Sequence, residues 1–189
     1  MMGMATIADL ANALFLPLLL FFIPFLILKL GGKSLPKSLQ YLFVNKSDYS
    51  PFSGLPATIA YAFILVIAML ALTALESAVL FQLGLLDLDK VSELIKRQTS
   101  IVLIVAMFVS PIAEEVFFRG LLQRRFGMLF SAAAFGISHA LYNSVAEIVG
   151  AFTLGLLLSF YVAKRKSIAA PILAHMFYNL LSIASLTWQ

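Results

Sequence analysis

Long apolar runs with few charged residues dominate this chain. Hydrophobic residues make up 62% of its 189 residues and charged residues only 12%, whereas a soluble domain is nearer half apolar and a quarter charged. A helix needs about 20 mainly apolar residues to cross a bilayer, and six runs approach or exceed that length. These runs are residues 10–28, 57–83, 99–123, 126–141, 146–163 and 167–186.

The runs predict an all-α fold, a multi-pass transmembrane helical bundle of about six spans. A backbone in lipid must satisfy its own hydrogen bonds, which leaves helices and closed barrels, and these runs are too uniformly apolar for barrel strands. The scarcity of polar surface also excludes a disordered chain, a coiled coil and a nucleic-acid-binding protein. The sequence contains no cysteine, which excludes disulfides, thiolate zinc sites and a cysteine nucleophile.

Basic residues alternate between the loops that join these spans. The second loop balances its charges and the fourth has no Lys or Arg. The basic residues of the first, third and fifth loops are Lys29, Lys33, Lys37, Lys46, Arg124, Arg125, Lys164, Arg165 and Lys166. Because cytoplasmic loops carry an excess of Lys and Arg, we expect these three loops on the cytoplasmic side and both termini outside.

One predicted span carries three ionisable residues close together. A charged group at the bilayer centre costs about 3 kcal/mol on insertion scales and is a functional candidate by default. Glu115 and Arg119 are four residues apart and share a helix face, which predicts an ion pair. Glu114 lies about 100° round the helix and is left without a partner on its own helix. It is therefore a candidate general acid or base, or it forms a second ion pair to another helix.

Two further spans carry the only histidines of the chain, His139 and His175. His139 is either functional or a core histidine that bonds a carbonyl or hydroxyl. His175 and Asn179 are four residues apart and project to one side of the last span. Asn179 is either functional or a polar contact that holds helices together.

Depth in the membrane favours one shared site for these residues. With the basic loops as the cytoplasmic edge and a rise of about 1.5 Å per residue, Glu114 and His175 lie roughly 15 Å deep. His139 and Asn179 lie roughly 20 Å deep on the same measure, in a hydrocarbon core about 30 Å thick. Four costly groups from three helices therefore converge near the midplane.

A carboxylate, two imidazoles and an amide suit hydrolysis of an amide bond. In one version Glu114 takes a proton from water that His139 helps to hold, while His175 and Asn179 donate to the oxygen of a tetrahedral intermediate. In the other version Glu114, His139 and His175 bind a metal such as zinc, because two histidines and a glutamate are a known catalytic zinc set. The sequence leaves both versions open, so a cofactor remains unknown.

The three motifs together resemble the CPBP family, which comprises CAAX prenyl proteases and Abi, or bacteriocin-processing, enzymes. They are Glu114-Glu115-x-x-x-Arg119, Phe135-x-x-x-His139 and His175-x-x-x-Asn179, in this order between residues 100 and 186. The resemblance implies an intramembrane endopeptidase of the glutamic or metal-dependent type. It implies that Glu114 activates water with His139 as its partner, that His175 and Asn179 stabilise the oxyanion, and that Glu115 and Arg119 order the motif helix. Asn143 is a lesser candidate.

The resemblance also sets expectations about organisation, partners and location. We expect N-terminal membrane spans and loops in residues 1–98 and a CPBP-like catalytic core in residues 99–189. The expected partners are a peptide or membrane-protein substrate and the lipid bilayer, with no nucleic acid. The expected location is the cell membrane, with an active site that opens to the cytoplasm. The alternative is a non-enzymatic membrane immunity or scaffold protein that binds a peptide partner.

Overall fold

The regular elements of the protein are helices that follow the predicted apolar runs. The structure is a computed structural model and describes residues 7–43 and 54–187. Within those residues the helices are α1 (Ile7–Leu30), α2 (Leu35–Phe43), α3 (Leu55–Gln82), α4 (Leu88–Lys96), α5 (Ser100–Phe126), α6 (Met128–Tyr142), α7 (Val145–Arg165) and α8 (Ala169–Thr187).

The predicted multi-pass helical bundle is confirmed. In the described part of the chain five helices, α1, α3, α5, α7 and α8, are long and apolar enough to cross a membrane. The predicted fourth span, α6, is shorter, with 11 residues of α-helix followed by 4 of 3₁₀-helix. Its length of about 24 Å falls below the roughly 30 Å of a hydrocarbon core. The helices α2 and α4 have nine residues each and are too short to span.

The predicted alternation of the loops between the two ends of the bundle is also found. The loop after α3 meets the start of α7, because Ser144 donates to Asp87. At the other end Arg165 donates to Tyr61 near the start of α3, and Arg124 lies 5.2 Å from the centre of the Tyr41 ring in α2. We call the end that carries Arg124 and Arg165 the basic end, and the end that carries Asp87 the clasp end.

The helices α6 and α7 approach each other closely because glycine lies at their contact. A Cβ atom at Gly136 would stand 2.9 Å from Cβ of Phe152 and 3.0 Å from the Ile148 carbonyl oxygen, distances that real Cβ atoms rarely reach. A Cβ atom at Gly155 would stand 3.2 Å from the Phe135 ring. Small residues therefore let α6 press its Phe135 face against α7.

Asp87 binds the start of α7 from outside that helix. Its Oδ1 accepts hydrogen bonds from the Ser144 hydroxyl at 2.6 Å and the Ala146 amide at 3.1 Å. Its Oδ2 accepts from the Val145 amide at 3.1 Å and the Lys90 ammonium at 3.0 Å. Burial would raise the pKa of Asp87, but these four hydrogen bonds outweigh it and hold the pKa well below its usual range. The carboxylate also complements the positive end of the α7 dipole.

The first prediction concerns this clasp. Asp87→Asn should lower the free energy of unfolding by about 1–2 kcal/mol at pH 7, because it removes charge-assisted hydrogen bonds to a helix start. A carboxylate whose pKa is lower in the folded state stabilises the fold above its unfolded pKa. The gap between wild type and Asp87→Asn should therefore shrink as pH falls below about 4. Unfolding in mixed micelles across this pH range measures it, and a gap that ignores pH would contradict it.

Candidate active site

Helix α5 carries the first motif, and its backbone is not a regular α-helix. Two stretches adopt the wider π-helical turn, Val105–Val109 and Glu115–Leu122. Pro111 follows the first stretch and has no N–H group, so a carbonyl in the preceding turn loses its helix partner. The Asn179 side chain donates to the Ala106 carbonyl at 3.1 Å. The side-chain amide of Asn179 thus replaces a missing hydrogen bond in the backbone of α5. The second N–H of the same amide stays available.

The predicted ion pair between Glu115 and Arg119 is confirmed. Both side chains are 0% exposed, and Glu115 Oε1 lies 3.2 Å from an Arg119 guanidinium nitrogen. The same oxygen lies 3.1 Å from His175 Nδ1 of α8. Since a carboxylate only accepts hydrogen bonds, Nδ1 carries the proton in this contact. Arg119 also donates to the Gly155 carbonyl of α7 at 3.4 Å.

Phe135 is the aromatic residue that joins the three motifs. Its ring centre lies 4.3 Å from the Arg119 guanidinium carbon, a cation–π contact. The same ring meets His139 edge to face at 4.7 Å and His175 at 5.8 Å. Phe118 packs on it at 5.0 Å. The Phe-x-x-x-His motif therefore supplies the apolar wall between the buried ion pair and the two imidazoles.

The four side chains expected to converge line one cavity of about 310 Å³: Glu114, His139, His175 and Asn179. The described residues that line it include no Lys or Arg. Most of the lining comes from the N-terminal parts of α5 and α7, the C-terminal parts of α3, α6 and α8, and α4. The cavity therefore lies in the clasp-end half of the bundle, beneath α4, and needs helices from both halves of the chain. The catalytic roles of these residues and the domain division at residue 99 stay predictions.

Glu114 has no ion-pair partner on α5, as expected, but α8 supplies a neighbour. His175 Nε2 lies 3.7 Å from Glu114 Oε2, which is longer than a direct hydrogen bond. His175 thus sits between the two glutamates, with Nδ1 towards Glu115 and Nε2 towards Glu114. A gap of this size between two polar atoms suits a bridging water.

His139 is held by the backbone of its own helix. Its Nδ1 lies 2.9 Å from the Phe135 carbonyl oxygen, which only accepts, so Nδ1 carries the proton and Nε2 is the nitrogen able to accept. Ser138 Oγ lies 3.3 Å from the same nitrogen but gives its proton to the Phe135 carbonyl at 2.7 Å. Ser138 is therefore a backbone-bonding residue, as the sequence predicts.

The three residues expected to bind a metal do not form a ligand set in the described part of the chain. In residues 7–43 and 54–187 no three His, Asp or Glu side chains are grouped so that they could hold a metal ion. The three expected ligands were Glu114, His139 and His175. Both histidines turn Nδ1 to a protein oxygen, the Phe135 carbonyl for one and Glu115 for the other. Metal-binding histidines make the same contact, so it leaves Nε2 of each able to bind a metal. We derive no step through a metal from this geometry.

A comparison with protein families now bears on the site. A model described as "Type II CAAX prenyl endopeptidase Rce1-like" matches residues 96–181, a little under half of the chain. Residues 96–181 are therefore similar to this family. The predicted CPBP resemblance is confirmed over this region. No curated protein and no solved structure matches the chain.

The Rce1-like region and α3 also bring to the cavity residues that the motifs do not include. Glu76 and Glu147 both line the cavity. Glu76 accepts a hydrogen bond from Thr153 at 2.6 Å. Tyr142 lines the cavity, whereas Asn143 does not and instead ends α6 with a left-handed backbone, φ +51°. Ionisable residues inside apolar runs were the available signal for Glu76 and Glu147.

The second prediction concerns the buried ion pair of the Rce1-like region. Arg119→Met should lower the free energy of unfolding by about 3–5 kcal/mol, because it leaves Glu115 charged and buried without its guanidinium. Equilibrium unfolding in mixed micelles measures this loss. Glu93 and Arg97 form the matched control, with the same four-residue spacing but largely exposed side chains. Arg97→Met should cost less than about 1 kcal/mol, and equal costs for the two variants would contradict the argument.

Proposed function

We propose that this protein is an intramembrane endopeptidase in which Glu114 activates a water molecule against a peptide carbonyl. The observation that carries the proposal is the meeting of Glu114, His139 and His175 from three helices in one cavity of an Rce1-like region. Glu114 and His175 stand 3.7 Å apart, so a water that contacts both polar atoms would lie beside them in the cavity. His139 Nε2 serves as a second acceptor that orients the water.

The reaction follows from these positions. Glu114 takes a proton from water, and the hydroxide oxygen forms a bond to the carbonyl carbon of the peptide. The carbonyl oxygen becomes negative and accepts hydrogen bonds from Nε2–H of doubly protonated His175 and from the free N–H of Asn179. Glu114 then gives its proton to the amide nitrogen as the C–N bond breaks. The products are a carboxylic acid and an amine, and Glu114 returns to its starting form.

Glu115 and Arg119 act one step away from the reacting atoms. Glu115 receives the His175 Nδ1 proton at 3.1 Å, so it fixes which nitrogen faces Glu114. This is the role of the carboxylate in a Ser-His-Asp triad, which orients an imidazole and stabilises its cation. Arg119 holds Glu115 in place at 3.2 Å. Both residues are therefore positioning residues in this proposal.

The substrate we propose is a peptide or membrane protein cut within or near the bilayer. The Rce1-like match supports a CAAX-type substrate, whose C-terminal residues are removed after prenylation, and processing of a bacteriocin-type peptide is the second possibility for the same site. Quenched-fluorescent peptides with and without a prenyl group distinguish these substrates in a detergent or liposome assay.

The third prediction tests the reacting groups. Glu114→Gln and His139→Gln should each reduce cleavage at least about 100-fold, because each removes a proton acceptor at the attacking water. Cleavage of the quenched peptides by purified variants measures this. Glu93→Gln, the same substitution at an exposed glutamate of α4, should leave the rate unchanged.

Two outcomes would point elsewhere. Full activity in either variant would refute the assignment, and wild-type protein that binds peptide without cutting it would favour the immunity or scaffold function. A chelator in the same assay separates the two mechanisms, because only the metal-dependent type loses activity and regains it with added zinc.

The location of the cavity also bears on which side of the membrane supplies the substrate. Among the residues that the structure describes, the basic end carries eight Lys and Arg residues and the clasp end three. If the basic end is cytoplasmic, the cavity beneath α4 lies towards the outer side, so a cytoplasmic opening and the charge bias are incompatible. We propose that the charge bias decides and that the cavity opens away from the cytoplasm, an orientation that favours an exported peptide over a prenylated protein as the substrate.

The fourth prediction tests this orientation. The chain has no cysteine, so each introduced cysteine reports one site. A membrane-impermeant maleimide added to intact cells should label Glu93→Cys at the clasp end and leave Ser34→Cys at the basic end unlabelled. Both variants should react equally after the membrane is permeabilised. The reverse pattern in intact cells would place the cavity on the cytoplasmic side.

A further inference from the structure

Tyr142 lies directly against the imidazole of His139. Helix α6 leaves the α-helical form at Ser138 and continues as a 3₁₀ turn from His139 to Tyr142. In a 3₁₀ turn, residues three apart lie one above the other, so Tyr142 comes to stand over His139. The two ring centres are 5.8 Å apart and the ring planes differ by only 14°.

The other contacts of His139 leave one ring nitrogen for chemistry. Phe135 meets the imidazole edge to face, with ring centres 4.7 Å apart, and its carbonyl takes the Nδ1 proton at 2.9 Å. With the Tyr142 stack added, the ring is held between two aromatic side chains and tied by one hydrogen bond. Rotation of the ring about χ2 would break the stack and the hydrogen bond together. Nε2 therefore keeps one direction.

We propose that Tyr142 is a positioning residue that fixes the ring plane of His139 for the reaction. Tyr142 lines the same cavity as Glu114 and His175 and lies outside the three motifs. The inference rests on the proposed function for its catalytic meaning, but the stack itself is a property of the fold. A tyrosine suits this place because its ring lies nearly parallel to the imidazole in an offset stack.

The stack requires a flat aromatic side chain at position 142. Tyr142→Phe keeps the ring and removes the hydroxyl, whereas Tyr142→Leu keeps apolar volume and removes the flat face. A positioning role predicts that Phe preserves activity and Leu does not. The loss should fall on kcat, because a misaligned catalytic group weakens the transition state more than it weakens substrate binding.

The fifth prediction is therefore a pair of kinetic and spectroscopic measurements. In the peptide cleavage assay Tyr142→Leu should lower kcat about tenfold or more with KM within about twofold, and Tyr142→Phe should stay within about threefold of wild type. The chain has only two histidines, so ¹⁵N-histidine NMR in micelles gives one set of ring signals for each. Tyr142→Leu should shift the His139 signals away from the Nδ1–H form and leave those of His175 unchanged.

Tyr161→Leu is the matched control. Tyr161 also packs against an aromatic ring, that of Tyr61 at 5.9 Å, and it does not line the cavity. Its replacement should leave kcat and both histidine signals as in wild type. Unchanged His175 signals in Tyr142→Leu serve as the check that this variant folds.

The outcomes separate this inference from the proposed function. Unchanged His139 signals in Tyr142→Leu, or an equal loss of kcat in Tyr142→Phe and Tyr142→Leu, would overturn the positioning role. A wild-type protein without cleavage, or a His139→Gln variant with full cleavage, would overturn the proposed function instead. In that case the NMR shift still decides whether Tyr142 holds the imidazole.

Discussion

The structure depends on one costly interaction, a pair of opposite charges with no access to water inside a membrane span. Glu115 and Arg119 are each 0% exposed, and two ions in such surroundings are tolerated only if neighbouring groups satisfy them. Part of that satisfaction comes from three other helices: the Gly155 carbonyl of α7, His175 of α8 and the face of Phe135 in α6. Glu115 Oε2 and Arg119 Nε are buried without a hydrogen-bond partner. The pair therefore fixes how α5 meets α6, α7 and α8, and the cavity forms beside it.

Glu114 and His139 lie where helices depart from regular geometry. The π-helical stretches of α5 surround the segment that carries Glu114, and π turns inside helices often occur at functional sites. The 3₁₀ turn of α6 begins at His139. Each departure frees or redirects backbone groups, and side chains then compensate, as Asn179 does for the Ala106 carbonyl. The motif residues thus support the backbone and the cavity at the same time.

Part of this arrangement could be predicted from the sequence because it depends on composition along one chain segment. Apolar runs give the spans, basic residues give the shared ends of the loops, and the four-residue spacing of Glu115 and Arg119 gives their ion pair. Similar depth in the bilayer, roughly 15 to 20 Å from the basic loops, indicated that Glu114, His139 and His175 could meet.

The rest depends on which residues from distant segments face each other. Asp87 and Ser144 are 57 positions apart, and neither belongs to a recognisable motif. Tyr142 reaches His139 only because α6 changes to a 3₁₀ turn, and no residue in the sequence marks that change clearly. Pro111 indicates where α5 lacks a backbone hydrogen bond. The side chain that bonds to the freed carbonyl, Asn179, lies on α8.

The glycine contacts between α6 and α7 also limit how the protein can move. A pair of helices that approach this closely resists separation, since moving them apart would lose the van der Waals packing at the two glycines. In the proposed function, an extended polypeptide that reaches Glu114 must separate another pair of helices in the bundle. Helix α4 has nine residues and follows directly after Asp87. It is the shortest helix that lines the cavity, so it is the one that a hinge motion displaces most easily.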